Sequence, residues 1–194
     1  MGLHHYAPDR EHVRRALGTF AAGVTIVTTF DDDSNAVGMT ATAFTSVSFT
    51  PPSALICLSL SARTHNVIRT RGRFGVNLLA TDGQELCDYC SAPGGDKVLP
   101  VMWLDTKSAW NAPCLNSAMV FFDCQVTEAI ETGTHVIIIG SIKAIGLSAH
   151  RDSTGPLLHF RGNYRRLSPI EPGTSPDPLP IVFEDSLIME AHQQ

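Results

Sequence analysis

The sequence predicts a mainly β protein, folded as an antiparallel barrel with a few short flanking helices. Three observations indicate this. Most apolar segments are short, rich in β-branched residues and bounded by Gly, Pro, Asn, Asp or Ser. Helical patterns are few and do not alternate regularly with the strands, as a doubly wound parallel sheet would require. The 194 residues, 43% of them hydrophobic, are enough for one barrel core.

The first element is a predicted amphipathic helix. Asp9 is a good N-cap, and Glu11 places negative charge in the first turn. An apolar face follows at the spacing i, i+3, i+4 and i+7, formed by Val13, Ala16, Leu17 and Phe20. Gly23 is placed to end this helix.

The rest of the chain alternates strands with turns and two short helices. The turn 31–35 joins two arms of a hairpin, and the apolar run 54–60 predicts a strand buried on both faces. The predicted helices cover 65–71 and 82–90. The predicted strands cover 24–30, 36–40, 43–50, 54–60, 74–79, 118–129, 135–147 and 156–161.

Charge and cysteine content exclude several classes of protein. The formal net charge is −5 and the pI is near 5.8, which argues against nucleic acid or an anionic membrane surface as partner. The five scattered cysteines indicate reduced thiols and no disulfide framework. No targeting signal is visible and the apolar runs are too short to cross a bilayer, so we expect a cytoplasmic protein.

The predicted domain organisation is one folded unit with an extension. Residues 1–170 form the domain, and 171–194 form a C-terminal extension, rich in Pro, Gly, Ser and Asp at its start, that lies outside the core.

The familiar catalytic motifs are missing from the sequence. Cys87 and Cys90 form a lone CxxC without the further ligands that zinc requires, and packing of a shared helix face explains them better. There is no G-x-S-x-G, P-loop or G-x-G-x-x-G. We therefore predict no metal site and no catalytic nucleophile.

Two polar segments could bind a ligand. The stretch 38–46 is dense in small and hydroxyl residues at a strand junction, where backbone groups could approach a flat heterocycle; from chemistry alone a plain Thr-rich strand pair is favoured. Ser59, Ser61, Arg63 and Thr64 precede or open a helix, as a phosphate cradle or as ordinary helix caps. His135, near Gly133 at the start of a strand, could touch a ligand or be structural.

These segments and several others resemble one family. The motifs AGVTIVTT (22–29), GMTATAFTSVS (38–48), FGVNLL (74–79), GTH (133–135) and PLLHFRGNY (156–164), with Pro51 and Pro52, look like the short-chain flavin reductases. Those proteins are the reductase components of two-component flavin-dependent monooxygenases. The resemblance covers residues 10 to 168 in the family's order. It implies a split β-barrel that binds FMN or FAD, usually as a homodimer with the flavin near the subunit interface.

The resemblance also implies site residues. Thr40, Ala41, Thr42, Ala43 and Phe44 would line the isoalloxazine. Ser59, Ser61, Arg63 and Thr64 would hold the ribityl-phosphate side, with Lys97 as a further phosphate contact. His135 would lie on the nicotinamide side, and the C-terminal element would supply Arg161 and Tyr164.

Two motifs depart from the family pattern. Thr42 and Ala43 stand where the family usually has Asn and Ser, so backbone contacts must do more of the binding. Thr134 stands where the family has Asp before its histidine, which removes a carboxylate.

The implied reaction is hydride transfer from NADH or NADPH to FAD or FMN, followed by delivery of reduced flavin to a monooxygenase partner. The sequence leaves open which flavin and which nicotinamide are used. Two alternatives remain: a split-barrel oxidase with tightly bound flavin, and a flavin-binding electron carrier without enzyme activity.

Overall fold

The computed structural model describes residues 2–92, 94, 98–149 and 155–168. Within these residues the chain forms mostly antiparallel strands with three α-helices. In chain order the elements are α1 (Arg10–Leu17), β1 (Ala22–Gly23), β2 (Thr25–Phe30), β3 (Ala36–Ala41), β4 (Phe44–Phe49), β5 (Pro52–Ser59), α2 (Arg63–Arg71), β6 (Arg73–Leu79), α3 (Gln84–Ser91), a 3₁₀ turn (Val101–Trp103), β7 (Ala118–Thr132), β8 (His135–Leu147), β9 (Leu158–Phe160) and β10 (Asn163–Arg165).

Seven strands form one antiparallel sheet in the order β3-β2-β6-β7-β8-β5-β4. Strands β3 and β4 lie at opposite edges of this sheet, yet only Thr42 and Ala43 separate them in the chain. Two residues span less than about 10 Å, so the sheet must curl until its edges nearly meet. The result is the predicted antiparallel split β-barrel. We call residues 40–44, which cross from one edge to the other, the seam.

The predicted strands are confirmed with small shifts at their ends. β7 and β8 form a long hairpin with Gly133 at its turn, in the left-handed conformation that glycine adopts without strain (φ 56°). The expectation that 54–60 is buried on both faces is wrong. In β5 one face is buried, including Ala54, Ile56 and Leu58, while the residues of the other face are half-buried because they face outward from the barrel.

A second, three-stranded sheet has the order β1-β9-β10. Its strand β10, which the sequence analysis did not predict, returns along β9 through a turn at Arg161 and Gly162. A three-residue strand carries too little alternation to be recognised from the sequence alone.

The first helix is shorter than expected. Asp9 caps it as predicted, with its carboxylate accepting a hydrogen bond from the His12 backbone N–H at 2.9 Å. It ends at Leu17 with Gly18 as C-cap, whereas Gly23 lies in β1, so the prediction that Gly23 ends it is wrong. The chain leaves the helix early because the Gly18 carbonyl accepts the Arg161 N–H at 2.8 Å.

Buried side chains fill the barrel and the space beneath α3. Ile68 of α2 packs with Phe74, Val76 and other barrel residues, while Leu86 and Cys87 of α3 pack against β2 and β3 residues such as Ile26. The Phe74 ring reaches from β6 to Gly140 of β8, where an added Cβ would lie 2.6 Å from it. This close approach across β7 indicates how strongly the sheet is curved.

Candidate functional site

The seam is held from both sides by hydrogen bonds. Thr40 Oγ1 donates to the Cys87 carbonyl of α3 at 2.9 Å, and the Ala41 carbonyl accepts Thr25 Oγ1 at 2.8 Å. The Ala43 carbonyl accepts the Cys57 N–H of β5 at 3.0 Å. Thr42 and Ala43 are exposed, so their small side chains leave the seam backbone accessible to a ligand.

Phe44, the last residue of the seam, is half-buried. Its ring lies 5.7 Å from that of Phe122, measured between ring centroids. Phe44 therefore anchors the start of β4 to β7 and supplies an apolar boundary beside the accessible backbone.

A cavity of about 670 Å³ lies beside the seam. Thr40, Ala41 and Thr42 form one wall, α3 contributes a second, and β10 with its preceding turn forms the third. The sequence-predicted Tyr164 lies in this third wall. The lining also includes residues that the sequence analysis missed: Val24, Gln84, Asp88, Ser91, His159, Gly162, Asn163 and Arg165.

The missed α3 residues carry a signal that could have been found. Gln84, Asp88 and Ser91 are spaced i, i+4 and i+7, so they form one polar helix face, while Cys87 and Cys90 point into the core. The pattern alone could not show that this polar face meets the seam, because the contact depends on the Thr40 to Cys87 hydrogen bond.

Tyr164 is electrostatically tied to α3. Burial, the neighbouring Cys87 and Asp88, and a hydrogen bond to Asp88 raise the pKa of the Tyr164 phenol to about 12. The phenol is consequently neutral at physiological pH and can donate a hydrogen bond inside the cavity.

The residues predicted to bind phosphate lie at the C-terminal end of β5 and at the start of α2. Ser59 and Ser61 Oγ atoms are 2.8 Å apart, and the N-cap of α2 is Ala62, which makes no side-chain cap hydrogen bond. Neither Ser61 nor Thr64 is therefore the N-cap residue of this helix. The positive end of the helix dipole, with the Arg63 guanidinium in the first turn, suits an anion. Thr64 is buried, so its side chain is turned away from solvent.

Arg63 is the first residue of α2 and is half-exposed. Its Nη2 lies 3.3 Å from Asp31 Oδ2. Burial acts to raise the pKa of Asp31, and hydrogen bonds from Asn35 and Asp33 together with the Arg63 charge outweigh it, so that pKa is lowered. The carboxylate therefore stays charged and orients the guanidinium.

His135 lies directly opposite Ser59 in the β5–β8 pairing and is exposed. Its Nδ1 is 2.8 Å from Thr134 Oγ1. The threonine thus supplies a polar partner at the position where the family has a carboxylate. The structure brings His135 together with Ser59 and Ser61, away from the cavity wall that holds Tyr164.

The two remaining predicted residues are not in this group. Arg161 has a left-handed backbone (φ 51°), stacks its guanidinium 5.1 Å from the Phe160 ring, and faces a separate groove beside α1. Lys97 lies outside the described residues, as does the extension 171–194.

Within the described ranges, no group of three or more His, Cys, Asp or Glu side chains could hold a metal ion. Cys87 and Cys90 are buried and form no disulfide bond, and burial with nearby Asp88 raises the pKa of the Cys87 thiol to about 12. The packing interpretation of the CxxC is therefore confirmed. None of the described helices has the length and apolarity needed to cross a membrane.

The fold and this divided polar site agree with one protein family. The model of the flavin reductase like domain matches residues 17–168, and the chain belongs to that family. The match ends where the described chain ends, so residues 169–194 lie beyond the family domain.

Named relatives support this assignment. The FMN reductase (NADH) RutF of Stutzerimonas stutzeri (strain A1501) is 35% identical over 161 residues, covering 82% of this chain and 89% of that protein. A "Probable flavin reductase" of Rhizobium meliloti (strain 1021) is 36% identical, and the matched region covers 80% of this chain but 48% of that longer relative.

A solved structure shares the same fold. The NADH:FAD oxidoreductase SgcE6 of Streptomyces globisporus C-1027, in complex with NAD and FAD fragments, has a TM-score of 0.76 and 29% identity. The similarity covers 87% of this chain and 99% of that one.

Proposed function

We propose that this protein is an NAD(P)H-dependent flavin reductase that takes up FMN or FAD, reduces it and releases it to a flavin-dependent monooxygenase. One observation carries the proposal: an accessible backbone segment at the seam borders a cavity, and the start of α2, with Arg63 in its first turn, follows the end of β5, the strand paired with β4. A flavin needs both features, a flat polar surface for its ring and cationic or N–H donors for its phosphate.

The described residues fit such a ligand. About 670 Å³ is within the range of cofactor pockets. The ring would lie along Thr40 to Phe44, and the phosphate would meet the first turn of α2, Ser59, Ser61 and Arg63. Because Asp31 already pairs with Arg63, the guanidinium is oriented before the ligand arrives.

The bound flavin and nicotinamide supply the redox chemistry, since hydride passes from the nicotinamide ring to the flavin ring. The protein residues contribute positioning. Backbone groups at Thr42 and Ala43 orient the flavin ring and can stabilise negative charge that develops on it. His135 is the candidate for contacting the nicotinamide dinucleotide, and Tyr164 lies apart from it in the wall of the cavity beside the seam.

No described residue is required to accept or donate a proton in this scheme. The high pKa of Tyr164 keeps its hydroxyl as a neutral donor, and Cys87 is a protonated core thiol. The residues around the site would act by holding the flavin and the nicotinamide within reacting distance, and such positioning can lower the barrier by several kcal/mol.

A monooxygenase partner is supported by relatives. The reductase component of the 4-nitrophenol 4-monooxygenase/4-nitrocatechol 2-monooxygenase of Rhodococcus opacus is 33% identical over 83% of this chain. An open, partly exposed seam suits a ligand that must leave again, because a sealed pocket would slow its release.

We also propose a homodimer. Phe49 at the end of edge strand β4 is 89% exposed, and Ile145 and Leu147 of β8 are 53% and 59% exposed. Phe49 pairs with Pro52, and Ser53 pairs with Ser141, so these apolar residues lie at the same end of the sheet. Exposed apolar groups at one sheet end favour association with a second copy.

Following NADH absorbance at 340 nm tests the proposed function. We expect oxidation that depends saturably on added FMN or FAD, and almost none without flavin. Protein that purifies with stoichiometric flavin and ignores added flavin would instead be an oxidase-type relative. Protein that binds flavin but consumes no NADH would be an electron carrier, and either result would contradict the proposal.

A further inference from the structure

A second and larger concavity, of about 1420 Å³, lies between residues 6–8, α1 and the β9–β10 turn. Its walls include Val13, Arg14 and Arg15 of α1, and Arg161 of the turn. We call it the α1 groove. It adjoins the cavity at the seam, because His159 and Gly162 line both.

The helix in this groove lacks the packing that its sequence calls for. All eight residues of α1 are described, and none is buried. Val13, which lines the groove, is 40% exposed. Leu17 and the following Phe20 continue the apolar face of the helix outside the groove lining and are 70% and 76% exposed. A helix this short is marginal in water unless its apolar face is covered, so something absent from the described residues is expected to cover it.

The groove is also basic, although the protein as a whole is acidic. Arg14 and Arg15 line it together with a single acidic residue of the same helix, Glu11, and Arg161 adds a third arginine from the turn. An occupant that combines apolar side chains with carboxylates would match both properties of this surface.

The C-terminal segment 169–194 has this composition. It contains no Lys or Arg, and its acidic residues account for the whole formal net charge of −5: Glu171, Asp177, Glu184, Asp185 and Glu190. Apolar residues flank the central acidic pair, with Leu179, Ile181, Val182 and Phe183 before it and Leu187, Ile188 and Met189 after it.

The segment also starts in the right place. The described chain ends at Ser168, three residues after β10, and the β9–β10 turn is bonded to the end of α1 through Arg161 and Gly18. Residues 169–180 can span about 40 Å when extended, whereas α1 is about 12 Å long. The apolar and acidic residues can therefore reach any point of the groove.

Other occupants fit less well. A nucleotide phosphate would satisfy the arginines but would leave the apolar strip of α1 exposed. In a second copy of the chain, residues 1–168 carry equal numbers of acidic and basic residues, and so offer no net charge to complement the groove.

We propose that residues 179–190 of this chain dock in the α1 groove, with Phe183 and its apolar neighbours against Val13 and Ala16 of the groove and along the exposed Leu17 of the same helix, and with Glu184 and Asp185 against Arg14 and Arg15. The docked segment covers the exposed face of α1 and lies against a wall shared with the cavity at the seam.

Carbodiimide cross-linking of the full chain tests the proposed ion pairs between the C-terminal segment and α1. Arg14→Lys keeps the charge and introduces an amine that forms an amide with a touching carboxylate. We expect mass spectrometry to identify an amide cross-link between the lysine introduced at position 14 and Glu184 or Asp185. Arg69→Lys, on an exposed site of α2 away from the groove, is the matched control and should give no tail product.

When ¹⁴N- and ¹⁵N-labelled chains are mixed, the same experiment distinguishes docking within one chain from docking between two copies. Products in which both peptides carry one label support docking within a chain. Mixed-label products, or cross-links from position 14 only to carboxylates of residues 1–168 in another copy, would overturn the proposal in favour of a second copy. Absence of any tail product would overturn it as well.

Hydrogen exchange tests the proposed apolar contacts between the C-terminal segment and α1. Phe183 lies beyond the residues that the family domain matches, so we expect Phe183→Ser to keep the fold and the amides of α1 to exchange severalfold faster than in the wild type. Ser186→Ala is the control and should leave α1 unchanged. Equal exchange of α1 in Phe183→Ser and wild type would contradict docking.

Discussion

At the scale of single residues, the phenol of Tyr164 shows how the site is assembled. It joins β10 to α3 through Asp88 and Cys87, while Thr40 joins α3 to the seam. A change at Tyr164 is therefore transmitted to two walls of the cavity. Cys87 participates as a packed thiol, since its raised pKa of about 12 removes the thiolate that redox chemistry would need.

Arg63 is predicted to act on flavin affinity. In Arg63→Ala we expect the KM for flavin to rise about three- to tenfold, with kcat changed much less, because one charge-assisted hydrogen bond to a phosphate is lost. Steady-state kinetics at varied flavin measures both constants. Arg69→Ala, an exposed arginine in the last turn of the same helix, should behave as wild type. A large loss of kcat at saturating flavin would contradict this role.

His135 is predicted to act on the nicotinamide. His135→Ala should raise the KM for NADH about threefold or more while the KM for flavin stays nearly constant, since one polar contact to the dinucleotide is lost. Thr134→Val removes the Oγ1 beside Nδ1 and should give a smaller change in the same direction. Unchanged NADH kinetics in His135→Ala would rule the role out, and an effect confined to flavin would assign His135 to the Ser59 side.

At the scale of elements, α2 and α3 contribute in different ways. α2 starts four residues after the end of β5, with Ala62 as its N-cap, and ends at Gly72 in the left-handed conformation (φ 66°). α3 presents a polar face to the cavity and an apolar face to the core. Each helix thus fixes one boundary of the site, and the strands between them set the distance.

The curvature of the barrel depends on Gly140 in β8. Its replacement by alanine would place a Cβ 2.6 Å from the Phe74 ring and 3.2 Å from Cys124 Cβ, and Phe74 is fully buried and cannot move aside. We expect Gly140→Ala to lower the free energy of unfolding by about 1–3 kcal/mol, measured by urea denaturation. Gly23→Ala meets nothing within 4 Å and is the control. Equal stability of both variants would show that β8 can retreat from Phe74.

At the scale of the whole molecule, stability should fall in alkali. Burial raises the pKa of the thiols of Cys87, Cys114 and Cys124 from 9.0 to about 12, and that of Tyr164 from 10.0 to about 12. Because the folded-state values exceed the unfolded ones, the stabilisation is complete below pH 9 and is lost as the pH rises towards 12.

Thermal melts between pH 8 and 12 measure this loss. Cys124→Ala removes one such thiol and should make the decline of Tm above pH 9 shallower, whereas Gly23→Ala carries no titrating group and should decline as the wild type does. A Tm that stays constant up to pH 12 would contradict the assignment.

The sequence by itself determined the class of fold and most of its elements. Alternating apolar residues, the turn at 31–35 and Gly133 specify hairpins through local backbone preferences, which need no knowledge of distant residues. The same local chemistry correctly placed Cys87 and Cys90 on a core face of α3. It failed at Gly18, where the helix ends because of a hydrogen bond to Arg161, far away in the chain.

Only the tertiary structure decided how the site is arranged. That Thr40 meets α3, that Tyr164 shares a cavity with the seam, and that His135 stands opposite Ser59 all follow from strand order and register, which depend on long-range pairing. The exposure of the apolar face of α1 was also decided only by the tertiary structure. The apolar periodicity of residues 13–20 predicted that face, but the absence of any described partner for it became visible only once the barrel had closed elsewhere.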